Sequence, residues 1–164
     1  MRLDRPVIGH CLGGQLMSRA LGSTIGASPL PEIGWHAIEY ADDPLVAHWF
    51  GANPTPTVIQ WHYESFGLPE GATLLASSPS CPNQAWAMGP HLAMQFHIEM
   101  DRVKAQEWAA DEDPHWSTAR SLWPTVQTSQ QILDGIEPYL PQHQATADQI
   151  YQRWLSTTIW AHKF

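Results

Sequence analysis

The apolar run Pro6-Val7-Ile8-Gly9 passes with no linker into Cys11, and behind it Leu12, Leu16, Met17, Ala20 and Leu21 recur at helical spacing up to Gly22, a natural C-cap. This reads as strand, tight turn and helix. A strand that becomes a helix within two residues is the opening of an α/β unit, and it limits the fold more than any other feature of the chain.

The segments that follow support a sheet and then a helical layer. After the Ser28-Pro29-Leu30-Pro31 break, Gly34 to Tyr40 is expected to be a strand, ended by Ala41-Asp42-Asp43-Pro44, and Leu45 to Phe50 a short helical piece. Asn53-Pro54-Thr55-Pro56 reads as a loop. Short β-like runs then cover Thr57 to Trp61, Ala72 to Ser77, Gln84 to Met88 and His91 to Phe96. From Asp101 the apolar spacing turns helical, at Val103, Trp108 and Ala109, then at Ile132, Ile136 and Leu140, then at Ile150, Trp154 and Leu155, with Pro114, Pro124 and Pro141 as separators. Asp111-Glu112-Asp113-Pro114 is expected to be an exposed loop. The whole predicts one α/β domain over residues 1–164, with a partly parallel mixed sheet, flanking helices and a helical C-terminal extension over 101–164.

Composition narrows the function. With 43% hydrophobic and 15% charged residues the chain is expected to fold as a globule. Its formal charge of −8, without a Lys/Arg cluster, speaks against a nucleic-acid partner. No apolar run approaches the roughly 20 residues that span a bilayer, and the lead-in is too short for a secretory signal, so a cytoplasmic protein with no membrane partner is expected. Two cysteines, Cys11 and Cys81, are too few for a disulfide framework and lack the spacing of a zinc site. The tryptophans, scattered singly, read as core and groove lining rather than a cofactor box.

A nucleophile on a sharp strand-to-helix turn needs small neighbours, and Gly9 and Gly13 flank Cys11 at the spacing of a nucleophile elbow. A sulfur at a helix N-terminus is favoured as thiolate, because unpaired N–H groups and the helix dipole stabilise negative charge. The N–H of Leu12 would point to where the oxygen of a tetrahedral intermediate develops, forming half of an oxyanion hole. Taken alone, G-x-C-x-G is as readily a small buried hydrophobe in a turn. Phe96-His97-Ile98-Glu99 shifts the balance: residues two apart on an extended segment point the same way, so Glu99 can orient His97 as a base for Cys11.

On these residues the chain resembles the class I glutamine amidotransferases. Gly9-His10-Cys11-Leu12-Gly13-Gly14-Gln15 matches their G-x-C-x-G-x-Q elbow, and Gln95-Phe96-His97-Ile98-Glu99 matches Q-F-H-P-E except for Ile98 in place of proline. Glu32-Ile33-Gly34-Trp35 and Trp61-His62-Tyr63-Glu64 are similar to stretches of the GMP synthase-like branch, with Glu64 standing for aspartate. The resemblance covers roughly Pro6 to Asp101. It implies a flavodoxin-like fold, a Cys11–His97–Glu99 triad that releases ammonia from glutamine through a thioester, and glutamine held by Gln15 and the backbone near His62. No cofactor or metal is implied. A metal site made of His62, His97 and Glu99 would leave the elbow cysteine without purpose. Cys81, with no elbow and no nearby histidine, is expected to be a structural thiol.

The family carries strands and helices ahead of its elbow, one of whose loops supplies the second oxyanion donor, whereas only Met1 to Pro6 precede the strand here. The chain is therefore expected to correspond to the C-terminal portion of such a domain, and loss of one donor typically costs 10²–10³ in rate. Three functions remain open on sequence alone. The first is a glutaminase that feeds ammonia to a separate synthetase chain, since no G-x-x-x-x-G-K loop is present. The second is a hydrolase of γ-glutamyl peptides, and the third a catalytically weak fragment acting as a binding module.

Overall fold

A computed structural model describes residues 5–51, 55–111 and 114–160. The expected Asn53-Pro54 and Glu112-Asp113 loop residues lie outside the described residues.

The opening unit forms as expected. Strand β1 (Ile8–His10) leads through Cys11 into helix α1 (Leu12–Ala20), and Gly22 follows the helix in the left-handed region at φ 86°. Next come β2 (Ile25–Ala37), β3 (Glu39–Tyr40), α2 (Pro44–Phe50), β4 (Thr57–Phe66), β5 (Thr73–Ser77), β6 (Ala85–Met88) and β7 (His91–Met94). Five strands make one mixed sheet in the order β1-β7-β6-β5-β3, in which β1 and β7 run parallel and the remaining pairs antiparallel. The other two, β2 and β4, form a separate antiparallel ribbon.

Two departures from the sequence reading occur here. The expected single strand from Gly34 to Tyr40 is divided at Ile38, with β2 pairing to β4 and β3 to β5, so one run serves both sheets. The Ser28-Pro29-Leu30-Pro31 stretch, expected to be a break, lies inside β2. Its prolines cannot donate to the ladder, and the β2–β4 register slips between Ala27 and Glu32 instead of ending.

Among its described residues the tail contains four helices: α3 (Arg102–Ala109), α4 (Pro114–Leu122), α5 (Ser129–Asp134) and α6 (Ile136–Trp160). Asp101 caps α3 by accepting from the Lys104 N–H at 2.8 Å, and Thr128 with Gln131 forms a capping box on α5. Helix α4 was not foreseen. Nor does Pro141 end a helix, for α6 runs straight through it. An interior proline costs a helix about 3 kcal/mol. Here Ile136 and Leu140 bury into the core beneath the β2–β4 ribbon, while Ala147 and Ile150 bury into the core of the main sheet. One continuous helix therefore closes both cores, and that packing outweighs the missing hydrogen bond.

Helix α1 is fastened to the sheet below it. Met17 packs with the buried side chains of Phe66, Trp86 and Ala93, and the Trp86 indole N–H donates to the Ser18 hydroxyl at 2.8 Å. Burial of each large side chain contributes roughly 1.5–3 kcal/mol, which makes α1 a rigid platform for the residue at its start.

Candidate active site

Cys11 sits between β1 and α1 at φ 45° and ψ −108°, the single non-glycine residue with positive φ among the described residues. Such a conformation costs on the order of 1–3 kcal/mol and persists only where the surroundings impose it. Here the Cys11 N–H donates to the Met94 carbonyl at 2.8 Å and its own carbonyl accepts from the Gln15 N–H at 2.9 Å, so both sides of the turn are tied. The sulfur is half-buried. Helix α1 begins at Leu12, whose N–H belongs to the first turn, where a helix cannot satisfy its own donors. The Leu12 side chain points outward and is 63% exposed.

The need for small neighbours falls differently from the expectation. A Cβ on Gly9 would lie 2.6 Å from the Gly13 carbonyl carbon and from Met17 Sδ, whereas a Cβ on Gly13 would meet nothing within 4 Å. Gly9 is thus the obligatory residue, because α1 crosses directly over it. Gly9→Ala is expected to destabilise the fold by about 1–3 kcal/mol through overpacking. Gly13→Ala is expected to leave stability unchanged or raise it by up to about 1 kcal/mol, since alanine suits a helix better. Thermal melts of the two variants check this; equal losses would contradict the geometry.

His97 and Glu99 lie beyond β7, which ends at Met94 rather than at Phe96. The pair therefore occupies a turn, and the alternation of an extended strand is not what aligns it. The turn brings the His97 Nδ1–H to within 2.6 Å of Glu99 Oε1, and the His97 N–H is anchored on the Ile59 carbonyl at 3.0 Å. Burial opposes a charge on His97, but a hydrogen bond to Cys11 together with the hydrogen bond and charge of Glu99 prevails, and the pKa rises to about 9. Burial likewise opposes ionisation of Glu99, yet His97, helped by His10, holds its carboxyl below the ordinary value. Across the ring, Trp108 meets His97 edge-on at 4.9 Å, and Trp61 bridges Trp108 and Trp116 at 5.2 Å each. Tryptophans that are scattered along the chain converge beside this histidine.

Gln15 is buried, and its amide donates to the Glu64 carbonyl at 3.0 Å and to Gln95 Oε1 at 3.4 Å. Gln95 in turn donates to the Cys11 sulfur at 3.5 Å, a contact that the sequence reading left without a role although Gln95 stands in the matched motif. The Cys11 thiol also approaches the Trp61 carbonyl at 3.8 Å. An open cleft of about 440 Å³ is lined by Cys11, Gln15, Trp61, His62, Tyr63 and Glu64.

His62 reaches this cleft along β4, but its side chain is buried in a separate network. The His62 Nε2–H donates to Glu32 Oε2 at 3.1 Å, and the Ser28 hydroxyl meets Nδ1 at 3.2 Å. Glu32 also accepts from Ser78 at 2.8 Å and Gln84 at 2.7 Å. Cys81 belongs to the same cluster, with ligand-type atoms of Glu32, His62 and Cys81 all within 4.8 Å of one another. The expectation that Cys81 has no nearby histidine is thus corrected: the pairing of β2 with β4 sets Glu32 beside His62, and Cys81, in the connection from β5 to β6, lies against that pair. Burial pushes the Cys81 thiol up to about 11, against a backbone hydrogen bond to Asn83 and with the Glu32 charge adding to it. Glu32 and His62 spend their polar atoms on each other and on Ser28, Ser78 and Gln84, the pattern of a structural network rather than of ligands held open for an ion.

His143 of α6 lies fully buried against Trp35, at 5.6 Å and edge-on. Burial holds its pKa down to about 4, against the hydrogen-bonding pull of the His97 backbone. Unfolding returns it to about 6.5, so the unfolded chain binds the extra proton between these values and stability is lost as pH falls from 6.5 towards 4. His97 acts at the other end: with a folded pKa raised to about 9, its contribution is full below 6.5 and is lost as pH rises towards 9. Denaturant unfolding across pH should give a stability maximum near neutrality, and His143→Gln should make the acid side less steep while leaving the basic side unchanged, the lowered pKa values of His10 and Glu99 supplying the slope that remains. A monotonic profile in the wild-type chain would refute this.

The family model for glutamine amidotransferase class-I matches residues 1–109. The chain belongs to the class I glutamine amidotransferase family. Its sequence is 42% identical over 100 residues to the glutamine amidotransferase-like protein YfeJ of Salmonella typhimurium, covering 58% of this chain and 41% of that protein. It is 34% identical over 102 residues to the glutamine-hydrolysing GMP synthase of Aeropyrum pernix, covering 61% of this chain and 20% of that one. It is also 34% identical over 107 residues to gamma-glutamyl peptidase 3 of Arabidopsis thaliana, covering 61% and 43%. The crystal structure of a glutamine amidotransferase from Methylobacillus flagellatus superposes with a TM-score of 0.81 at 33% identity, over 92% of this chain and 62% of that one. The chain thus spans less than half the length of each of these three curated relatives. No described helix is long and apolar enough to cross a membrane.

Proposed function

We propose that the chain hydrolyses the side-chain amide of glutamine through Cys11, His97 and Glu99. The observation that carries this reading is the convergence of a strained, half-buried cysteine at a helix start with a histidine whose pKa its sulfur and Glu99 raise to about 9. In this reaction Cys11 Sγ attacks the amide carbon and the carbonyl oxygen takes up negative charge, stabilised by the Leu12 N–H. His97 gives its proton to the departing nitrogen, the C–N bond breaks and ammonia leaves behind a thioester. Water, deprotonated by His97, then attacks the thioester; glutamate departs and the sulfur is restored. Glu99 holds the imidazole throughout, while Gln15 and the β4 backbone at His62 frame the substrate. Under this reading the ammonia passes to a separate synthetase chain, and the reaction belongs in the cytoplasm, where a thiol stays reduced.

A second reading is hydrolysis of γ-glutamyl peptides. One observation favours it: Tyr63 lines both the Cys11 cleft and a further cleft of about 280 Å³ that includes Leu122 and Trp123, room for a leaving group larger than ammonia. A substrate panel decides between them. Ammonia release from glutamine without cleavage of γ-glutamyl dipeptides supports the first reading; the reverse supports the second. Release of neither product, with no labelling by a glutamine-analogue electrophile, would refute both and leave the binding module.

A further inference from the structure

Glu99 does not serve His97 alone. Its Oε1 accepts from His97, while its Oε2 lies 3.6 Å from His10 Nδ1, on the residue immediately before the nucleophile. The far nitrogen of His10, Nε2, is 3.1 Å from the hydroxyl of Tyr151 on α6, and the two rings meet edge-on with centroids 5.9 Å apart. Burial raises the Tyr151 pKa to about 12, with the Glu99 charge adding to it, so the phenol keeps its proton and has one to give to Nε2. His10 is also disfavoured as a cation: burial lowers its pKa and His97 adds to this, against the pull of Glu99. A neutral imidazole that accepts at Nε2 carries its proton on Nδ1. The Nδ1 atom is buried, has no hydrogen-bond partner of its own, and faces Glu99 Oε2.

We propose that His10 and Tyr151 are positioning residues that hold the outer oxygen of Glu99, with Tyr151 setting the His10 tautomer so that an N–H and not a lone pair faces the carboxylate. This deepens the reading of Cys11, His97 and Glu99 as a triad and rests on it. A carboxylate bonded at one oxygen can swing about its own axis; an N–H facing its other oxygen at 3.6 Å opposes that swing by charge–dipole attraction and keeps Oε1 on the imidazole of His97. The Tyr151 arm also ties the helical tail to the site, across 141 residues of sequence.

Several other groups share this region. Cys11 acts on His97, which with Glu99 acts in turn on the buried His143, and Asp101 and Asp148 line the cleft of about 370 Å³ behind Glu99 along with Tyr151. All are kept unchanged in the test, so a shift in His97 reports the His10 arm.

The experiment is nitrogen-15 imidazole spectroscopy of the full chain as a function of pH, which needs no turnover. In the wild type, His10 is expected as the Nδ1–H tautomer and His97 to titrate near 9. In Tyr151→Phe, His10 should move towards the Nε2–H form, and the His97 midpoint should fall by roughly half a pH unit or more, the scale of one modest hydrogen bond. His10→Leu should lower that midpoint by at least as much, and His10→Asn, which can still present an N–H to Glu99, should restore most of it. A wild-type His10 in the Nε2–H form, or a His97 midpoint unmoved in both Tyr151→Phe and His10→Leu, overturns the proposal. Glutamine turnover is measured in parallel: kcat should fall several-fold in Tyr151→Phe with KM within about twofold, and the basic limb of the profile should move down with the spectroscopic midpoint. Absence of turnover in the wild type would sink the triad reading while leaving the spectroscopic result to judge this one.

Discussion

Replacing Cys11 with alanine is expected to lower glutamine turnover by a factor on the order of 10⁴–10⁶, the size of loss seen when the nucleophile of an acting triad is removed. The substitution takes away the sulfur that would form the thioester and one of the two groups that keep His97 charged. It leaves in place the backbone bonds that Cys11 gives to Met94 and accepts from Gln15, so the melting temperature should change by only a few degrees. Covalent labelling by a glutamine-analogue electrophile should vanish with it. Cys81 serves as an internal control: buried and with its thiol pushed up to about 11, it should stay unlabelled in both proteins. Turnover or labelling that survives in Cys11→Ala would remove the basis of the proposed mechanism.

The largest expected loss of stability lies away from the cysteine, at Glu32. This carboxylate is almost wholly buried and accepts from His62, Ser78 and Gln84, so it joins the β2–β4 ribbon to the turn after β5 and to the edge of β6. Glu32→Leu would leave three buried donors without an acceptor, and breaking a buried charged network from one side costs about 3–5 kcal/mol. For a chain of this size that corresponds to a melting temperature lower by roughly 6–20 °C. Glu32→Gln keeps an acceptor and should lose less than half as much. Because His62 lies on the strand whose backbone walls the Cys11 cleft, glutamine KM should also rise in Glu32→Leu. A melt within about 2 °C of the wild type would mean that the network contributes little to the fold.

Much of the site was legible in the chain because its signals are local. Gly9 beside Cys11, the helical spacing behind it and the His97-x-Glu99 pair all lie within short windows, where backbone sterics and period alone dictate a strand, a sharp turn and a helix. Even there the local reasoning had limits. Gly13 proved sterically dispensable, and His97 and Glu99 met through a turn instead of a strand. Proline was over-read as punctuation. Pro29 and Pro31 fall within a strand that absorbs them by slipping register, and Pro141 falls within a helix held by two cores, because tertiary packing outweighs a single missing donor.

By itself the sequence determined a strand-turn-helix opening with a cysteine at the turn, the residue types that can serve it, and the order of a sheet followed by helices. Only the tertiary structure decided that one apolar run would serve two sheets, that Trp61, Trp108 and Trp116 would gather at His97, and that Cys81 would join Glu32 and His62. It alone placed Tyr151 on His10. The physical reason is the same in each case: these contacts join residues from different elements, the last of them 141 positions apart, and no local period encodes which faces will be buried together once the two cores close.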